Sequence, residues 1–339
     1  MELSAVGEMR SALSKLQESA EKLTDGSLFS AMKASVTQPD SGDVVSVESS
    51  EDASAGDFEI FVQQLAKGSR AVSADGAFAS ADDEVNTNAG SLTFGAGDES
   101  FTLNIEAGST LEDIRNAVNS SDDNFGVTAD IINTGTEAKL VFRSSVTGAG
   151  NDLTVTNDNA EFDAISTQAN GGGAGGMAIA ADDQATDAII EIDGIQATND
   201  TNTFADVIQG STITAVKESE GTEKAQLSIA RDDAGVQKSI DSFVKAYNST
   251  VDLLSQIGGE DSMMQGDATV RTLKSQLNNV LTSTFGEGQT LFDLGFGLDN
   301  EGRLQQENPV TNVKDVLAQN PSALQNVIGG ENGLAARME

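Results

Sequence analysis

The sequence predicts an α+β multidomain protein, with a helical stalk formed from both chain ends and two β-rich domains inserted in series between them. Three observations carry this reading. A chain of 339 residues has room for two or three domains. Apolar residues near both ends recur at helical spacing. The middle is instead rich in short, partly alternating runs of β-branched and aromatic residues.

Near the start, Val6, Met9, Leu13, Leu16, Ala20 and Leu23 form an a/d heptad seam, and Asp25-Gly26 is its expected stop. Val236, Ile240, Phe243, Tyr247, Val251 and Leu254 form a similar stripe, ended by Gly258-Gly259. A shorter helix carries Val270, Leu273, Leu277 and Val280. Two more are expected over 311–319 and 322–328, with Asn320 as N-cap and Pro321 at the first helical position. Isolated helices of this length are marginal in water, so the end seams are expected to bury one another. The expected packing residues of this stalk are Leu13, Leu16, Leu23, Ile240, Phe243, Tyr247, Val251 and Leu254.

In the middle, Val44 to Ser49 and Phe58 to Val62 read as strands. Ser91 to Phe94 and Phe101 to Ile105 follow. Ser109-Thr-Leu-Glu112 fits a capping box before a helix bearing Ile114, Ala117 and Val118. Gly126 to Ile132 and Lys139 to Arg143 complete a ββαββ unit. Asn170 to Gly176 is glycine-rich and reads as a loop, since no Lys-Ser/Thr follows it as a phosphate cradle requires. The expected boundaries are 1–43 with 234–339 for the stalk, 44–78 with 186–233 for one β-rich domain, and 79–185 for the inserted one.

Composition narrows the function. The formal net charge is −35, from 54 acidic against 19 basic residues. Such a surface repels nucleic acid and anionic membranes, whose phosphates need clustered Lys and Arg. Eleven of the basic residues fall in the two end segments, whereas residues 76–185 hold 18 acidic and three basic. Without cysteine there is no disulfide or thiol nucleophile, and without histidine the commonest general base is missing. No run of about 18 apolar residues suggests a membrane span. The N-terminus lacks the apolar core of a secretory signal.

The acidic stretch Asp187 to Asn202 invites a metal or catalytic reading. Its alternation of Ala188, Ile190 and Ile192 instead describes a strand, with Asp193-Gly194 as a tight turn and Ile195 to Thr198 as the return. Thr203 to Gly210 then fits a short capped helical turn. Asp122, Asp123, Asn124 and Asp130, or Asp193, Asn199 and Asp200, are candidate calcium ligands, as is Asp299 to Gly302. None matches the EF-hand pattern, and turn residues explain each better. Tyr247 sits on an apolar helical stripe and is expected in the core rather than as a sugar platform. No catalytic, cofactor or metal site is expected.

Several segments resemble the bacterial flagellar filament cap family, the flagellar hook-associated protein 2 family. They are Ile190 to Thr198, Thr203 to Gly210, Val236 to Leu254, Gly266 to Leu273, Leu294-Gly-Phe-Gly-Leu-Asp-Asn-Glu-Gly-Arg-Leu304 and Leu317 to Pro321. Residues 91–146, with Phe101-Thr-Leu and Leu111 to Asn119, are similar to the small repeat of flagellin-like proteins. The resemblance implies a secreted structural protein without enzymatic activity or cofactor, exported by the flagellar type III route without a cleaved signal. It implies a ring-like homo-oligomer, a pentamer, at the distal filament end that retains flagellin and promotes its polymerisation. Flagellin and the hook–filament junction protein are the implied partners, and adhesion to host surfaces is a further implied role. The stalk is then expected to meet flagellin and the β-domains to form a plate. Members have long helical or disordered termini, so this chain is expected to be trimmed at both ends. The alternatives are another flagellar axial protein, such as a junction protein or flagellin, and an extracellular adhesin or calcium-binding β-protein.

Overall fold

A computed structural model describes residues 2–260, 262, 264–285, 288–330 and 332–338, with side chains from Ala5 onward. The terminal residues Met1 and Glu339, which bound the expected stalk, lie outside the described residues. The chain folds as a mixture of helices and several small sheets. It divides into a unit of Met1–Lys33, Ser49–Ala55 and Ile229–Glu339, and a second unit of Ala34–Glu48 and Gly56–Ser228.

The first unit begins with α1 (Glu2–Thr24) and a 3₁₀ turn over Gly26–Phe29, whose N-cap Asp25 accepts from the Ser27 amide. Its buried stripe is Ala5, Met9, Leu16, Ala20 and Leu23. Val6 is exposed and Leu13 half-buried, so the heptad reading needs correction at both positions. A straight helix turns every 3.6 residues, and over several turns the buried face drifts from a strict 3.5 repeat.

The second unit opens with β1 (Met32–Thr37), β2 (Val45–Ser49), β3 (Gly56–Gln64) and β4 (Gly68–Ser73). The division between units passes within β1 and β2, and again near the chain's return at Ile229. Next come β5 (Gly90–Ala96), β6 (Glu99–Ile105), α2 (Leu111–Ser120), β7 (Val127–Asn133), β8 (Ala138–Thr147) and β9 (Thr154–Asn157). The expected ββαββ order is present along the chain, but its strands serve two sheets. β5 lies between β6 and β9, while β7 and β8 join β4 and the short β10 (Met177–Ala178). Ring contacts help bind them: Phe94 stacks on Phe101 at 4.9 Å and meets Phe142 edge-on at 5.2 Å. Leu111, Ile114 and Val118 of α2 join the same core, whose buried residues, among those described, run from Ala71 to Met177.

The capping box lies one residue beyond its expected place. Thr110 is the N-cap, its hydroxyl accepting from the Asp113 amide while the Asp113 carboxylate accepts from the Thr110 amide. Ser109 is unavailable because its carbonyl accepts from Val85 and its hydroxyl donates to Glu106. The glycine-rich loop folds back on its neighbours, with Gly175 and Gly176 amides bonded to the Thr167 and Asp163 carbonyls.

The remaining strands are β11 (Ala188–Ile192), β12 (Ile195–Asn199), β13 (Thr203–Ala205), β14 (Ser211–Ala215) and β15 (Ala225–Arg231). They give a five-stranded sheet in the order β1-β15-β3-β11-β12 and a three-stranded one in the order β13-β14-β2. Ala188, Ile190 and Ile192 are buried as alternation requires, and β11 and β12 pair antiparallel. Asp193 and Gly194 adopt φ of 51° and 80°, which suits a tight hairpin turn. The expected helical turn at Thr203 to Gly210 is corrected to strand plus loop. Alternation sends Phe204 into the core, and Asp206, at positive φ, closes the loop by accepting from the Gly210 amide.

The first unit resumes at Ile229, within β15, and continues with α3 (Asp233–Gly258), α4 (Ala268–Leu281), the two-stranded hairpin β16 (Gly297–Leu298) and β17 (Leu304–Gln305), then α5 (Val313–Gln319), α6 (Pro321–Leu324) and α7 (Leu334–Met338). The helix expected over 322–328 is present as a continuous helical stretch, α-helical to Leu324 and π-helical over Gln325–Gly329, where it buries Val327 and Ile328. Asn320 caps α6 by accepting from the Ala323 amide, with Pro321 following.

One carboxylate is held far more tightly than its exposed peers. Glu161 accepts from the Thr87 hydroxyl and amide and from the Asn88 amide and side chain. These donors, the Thr87 hydroxyl foremost, lower its pKa from 4.5 to about 2. The folded pKa is depressed, so the stabilisation is complete above about pH 4.5 and disappears as pH falls toward 2. Glu161→Gln should therefore be less stable than wild type at pH 6, with the difference closing by about pH 2 in acid titrations followed by circular dichroism.

Candidate functional site

The helical unit is where the expected packing residues gather. Its core joins α1, α3, α4 and the C-terminal segment. Leu16, Leu23, Ile240, Phe243, Tyr247, Val251 and Leu254 are all buried in it, while Leu13 is half-buried. α3 starts at N-cap Asp232, which accepts from the Gly235 amide at 3.0 Å and faces Lys33 at 3.8 Å. The side chain of Asp267 caps α4 by accepting from Thr269 and Val270. Such caps satisfy amides that the first helical turn leaves without partners.

α3 also organises the β16–β17 hairpin. Asn248 exchanges two hydrogen bonds with Leu304, donating to its carbonyl and accepting from its amide. The Tyr247 hydroxyl donates to the Gly302 carbonyl at 3.3 Å, and burial raises its pKa to about 12. The Arg303 guanidinium donates to Asp252 at 2.7 Å. Asp299 closes the turn by accepting from the Glu301 and Arg303 amides. The segment from Leu294 to Leu304 is thus a clamp on α3. Gly295 has φ of 88°, and a Cβ there would lie 2.3 Å from the Asn312 carbonyl carbon. No other residue fits that position without moving α5's cap.

Four of the candidate calcium ligands, Asn124, Asp130, Asp193 and Asn199, are committed to backbone, side-chain or ion-pair partners. Asn124 bonds Val118, Gly126 and Val127, and Asp130 pairs with Arg143. Asp193 accepts from the Glu59 amide, and Asn199 donates to Thr203. Among the described residues no group of three or more acidic, His or Cys side chains could hold a metal ion, and no helix is long and apolar enough to cross a membrane.

A feature that sequence reading did not anticipate is a groove of about 740 Å³ between α1 and α3. Ser11, Ala12 and Lys15 line one wall, and Lys245, Ser249 and Leu253 the other. The sequence signal for it is weak: small residues beside the heptad stripes, where pattern reading records only a polar face.

Comparison with known proteins agrees with this architecture. Residues 1–69 match the flagellar hook-associated protein 2 N-terminus, residues 185–339 its C-terminus, and residues 91–146 the flagellin hook IN motif. Flagellar hook-associated protein 2 of Aeromonas caviae is 33% identical, covering 99% of this chain and 74% of that protein. The A-type protein of Pseudomonas aeruginosa is 28% identical, covering 98% and 73%. The crystal structure of the flagellar cap protein FliD D1-D2-D3 domains from Escherichia coli superposes with a TM-score of 0.77 at 27% identity, covering 99% of this chain and 94% of that one. These likenesses define a structural protein of the bacterial flagellum. The chain belongs to the flagellar hook-associated protein 2 family.

The core of the helical unit sets a clear expectation. Phe243→Ala removes a fully buried ring and should cost about 3–5 kcal/mol, whereas Tyr247→Phe loses one long hydrogen bond and should cost roughly 0.5–1.5 kcal/mol. Urea unfolding, followed by a probe placed in the helical unit, would measure both.

Proposed function

We propose that the protein acts as a subunit of the flagellar filament cap, a ring-like homo-oligomer at the distal filament end that retains exported flagellin and promotes its polymerisation. The carrying observation is the likeness to the flagellar cap protein of Escherichia coli over nearly the whole of both chains. The work proposed requires no reactive side chain. A head-to-tail contact repeated by rotation closes a ring, here a pentamer, and each contact must be modest enough to let incoming subunits past. Flagellin and the hook–filament junction protein are its partners, and it reaches the filament tip by the flagellar export route. A role in adhesion belongs to the same reading.

Three parts serve this function: the stalk of residues 1–43 and 234–339, a β-rich domain of 44–78 and 186–233, and the inserted domain of 79–185. A hydrophobic core drawn mostly from residues 92–177, joined by Ala71 and Phe78 from just before the boundary, supports treating the inserted part as its own folding unit. In the stalk, Leu16, Leu23, Ile240, Phe243, Tyr247, Val251 and Leu254 act by packing alone. They hold α1 and α3 rigid so that their outer faces can meet flagellin.

Added to filaments stripped of their caps, the protein extended to its relatives' full length should appear in electron micrographs as plates at filament tips. It should also restore elongation on addition of flagellin monomer. Decoration along filament sides, or no binding, would contradict the proposal.

A further inference from the structure

The chain contains two Asn-Gly pairs, Asn170-Gly171 and Asn332-Gly333, and the fold treats them differently. An Asn carboxamide can reach the backbone nitrogen of a following Gly, which has no Cβ to block the approach. Asn170 lies at the exposed tip of the glycine-rich loop, followed by exposed Gly171, Gly172 and Gly173. All three glycines have positive φ, and a Cβ built on any of them would meet nothing within 4 Å. The loop is anchored on both sides of this tip. Asn170 donates its own amide to Asp163 at 2.7 Å, and the Gly172 and Gly175 amides donate to the Ala169 and Thr167 carbonyls. Between these anchors, neither the Gly171 amide nor the Asn170 carboxamide has a hydrogen-bond partner among the described residues.

The second pair is held. The Gly333 amide donates to the Gly330 carbonyl at 2.7 Å, and the Arg337 guanidinium donates to the Asn332 carbonyl at 3.1 Å. Gly333 is buried, and a Cβ there would lie 2.7 Å from the Ile328 carbonyl oxygen. Before its nitrogen could attack the Asn332 side chain, the turn leading into α7 would have to open.

We propose that Asn170 is a site of spontaneous covalent modification, converting through a succinimide to aspartate and isoaspartate, while the fold protects Asn332. The Gly171 nitrogen attacks Cγ of Asn170 and a bond forms between them. The Cγ–Nδ2 bond breaks, and Nδ2 leaves as ammonia, taking up the proton that the Gly171 amide gives up. Water then opens the ring. Cleavage between Cγ and the Gly171 nitrogen gives aspartate. Cleavage between the Asn170 carbonyl carbon and that nitrogen gives isoaspartate, with the main chain rerouted through Cβ and Cγ. Either product adds one negative charge to a chain already at −35. The Gly175 and Gly176 hydrogen bonds that tie the loop to its neighbours lie beyond the tip and are left intact. The inference rests on the loop alone and does not depend on the cap reading.

The test is to age the whole chain in mildly alkaline buffer and follow each Asn-Gly pair by peptide mapping, with fragmentation that separates aspartate from isoaspartate. In the folded protein, position 170 should convert about tenfold faster than position 332 or more, the factor set by opening one hydrogen-bonded turn. In denaturing urea the protection of Asn332 is lost, and the two pairs should convert at similar rates. Asn170→Gln, a change at an exposed position, would have to close a larger and less favoured ring. In that variant the signal at position 170 should disappear while circular dichroism stays unchanged. The proposal is overturned if Asn170 stays intact in the folded protein, or if Asn332 converts as fast as Asn170 while the chain is folded. It is equally overturned if Asn170 yields aspartate alone, since the amide is then hydrolysed directly and no ring forms.

Discussion

The helical unit depends on one contact: α1 against α3, helices separated in sequence by the stretch from Thr24 to Asp233. Neither could persist alone, since a short amphipathic helix in water leaves its apolar stripe exposed. Together they bury Leu16, Leu23, Ile240, Phe243, Tyr247 and Leu254, and the C-terminal segment closes over the same core. Bringing such distant segments together would carry a large loop-closure cost if the chain between them were slack. It is not slack. In the β unit, the strands through which the chain enters and leaves, β1 and β15, are neighbours in one sheet. Where β15 leads into α3, the Asp232 amide donates to the Ala31 carbonyl, so the two connections to the helices run together and the effective loop is short.

The acidic residues that dominate the composition serve the fold at many points. Asp25, Asp113, Asp232 and Asp267 accept from helix-start amides, where a negative charge also meets the favourable end of the helix dipole. Glu161 and Asp193 bind loop and strand amides in the β unit. A carboxylate used this way costs little to bury partly, because several N–H and O–H donors replace its lost water. The remaining acids leave the chain with its formal net charge of −35.

How much of this could be read beforehand follows from which forces are local. The stripes of α3 and α4, the Asn320 cap and the Asp193-Gly194 turn were legible, since each depends on residues within a few positions. The strand Ala188–Ile192 was legible for the same reason: alternation alone sets its buried face. The Thr203 to Gly210 stretch misled because its polar residues suit a helix start, yet pairing with β14 and the burial of Phe204 decide its form. The capping box moved by one residue because Ser109 was already claimed by Val85, a partner that no local pattern reveals. The division of the ββαββ order between two sheets, and the groove between α1 and α3, arise from long-range pairing. Of the expected packing residues, Leu13 shows the limit of a heptad: it lies on the seam by count but at the edge of the buried face.

Native-state hydrogen exchange on the wild type and on Leu23→Ala tests the dependence of the helical unit on the α1–α3 contact most directly. If the two helices stabilise each other, their central amides open in one cooperative step. Truncating Leu23 in α1 then lowers protection across α3 by the same free energy as in α1. Loss of protection confined to α1, with α3 unchanged, would contradict the account.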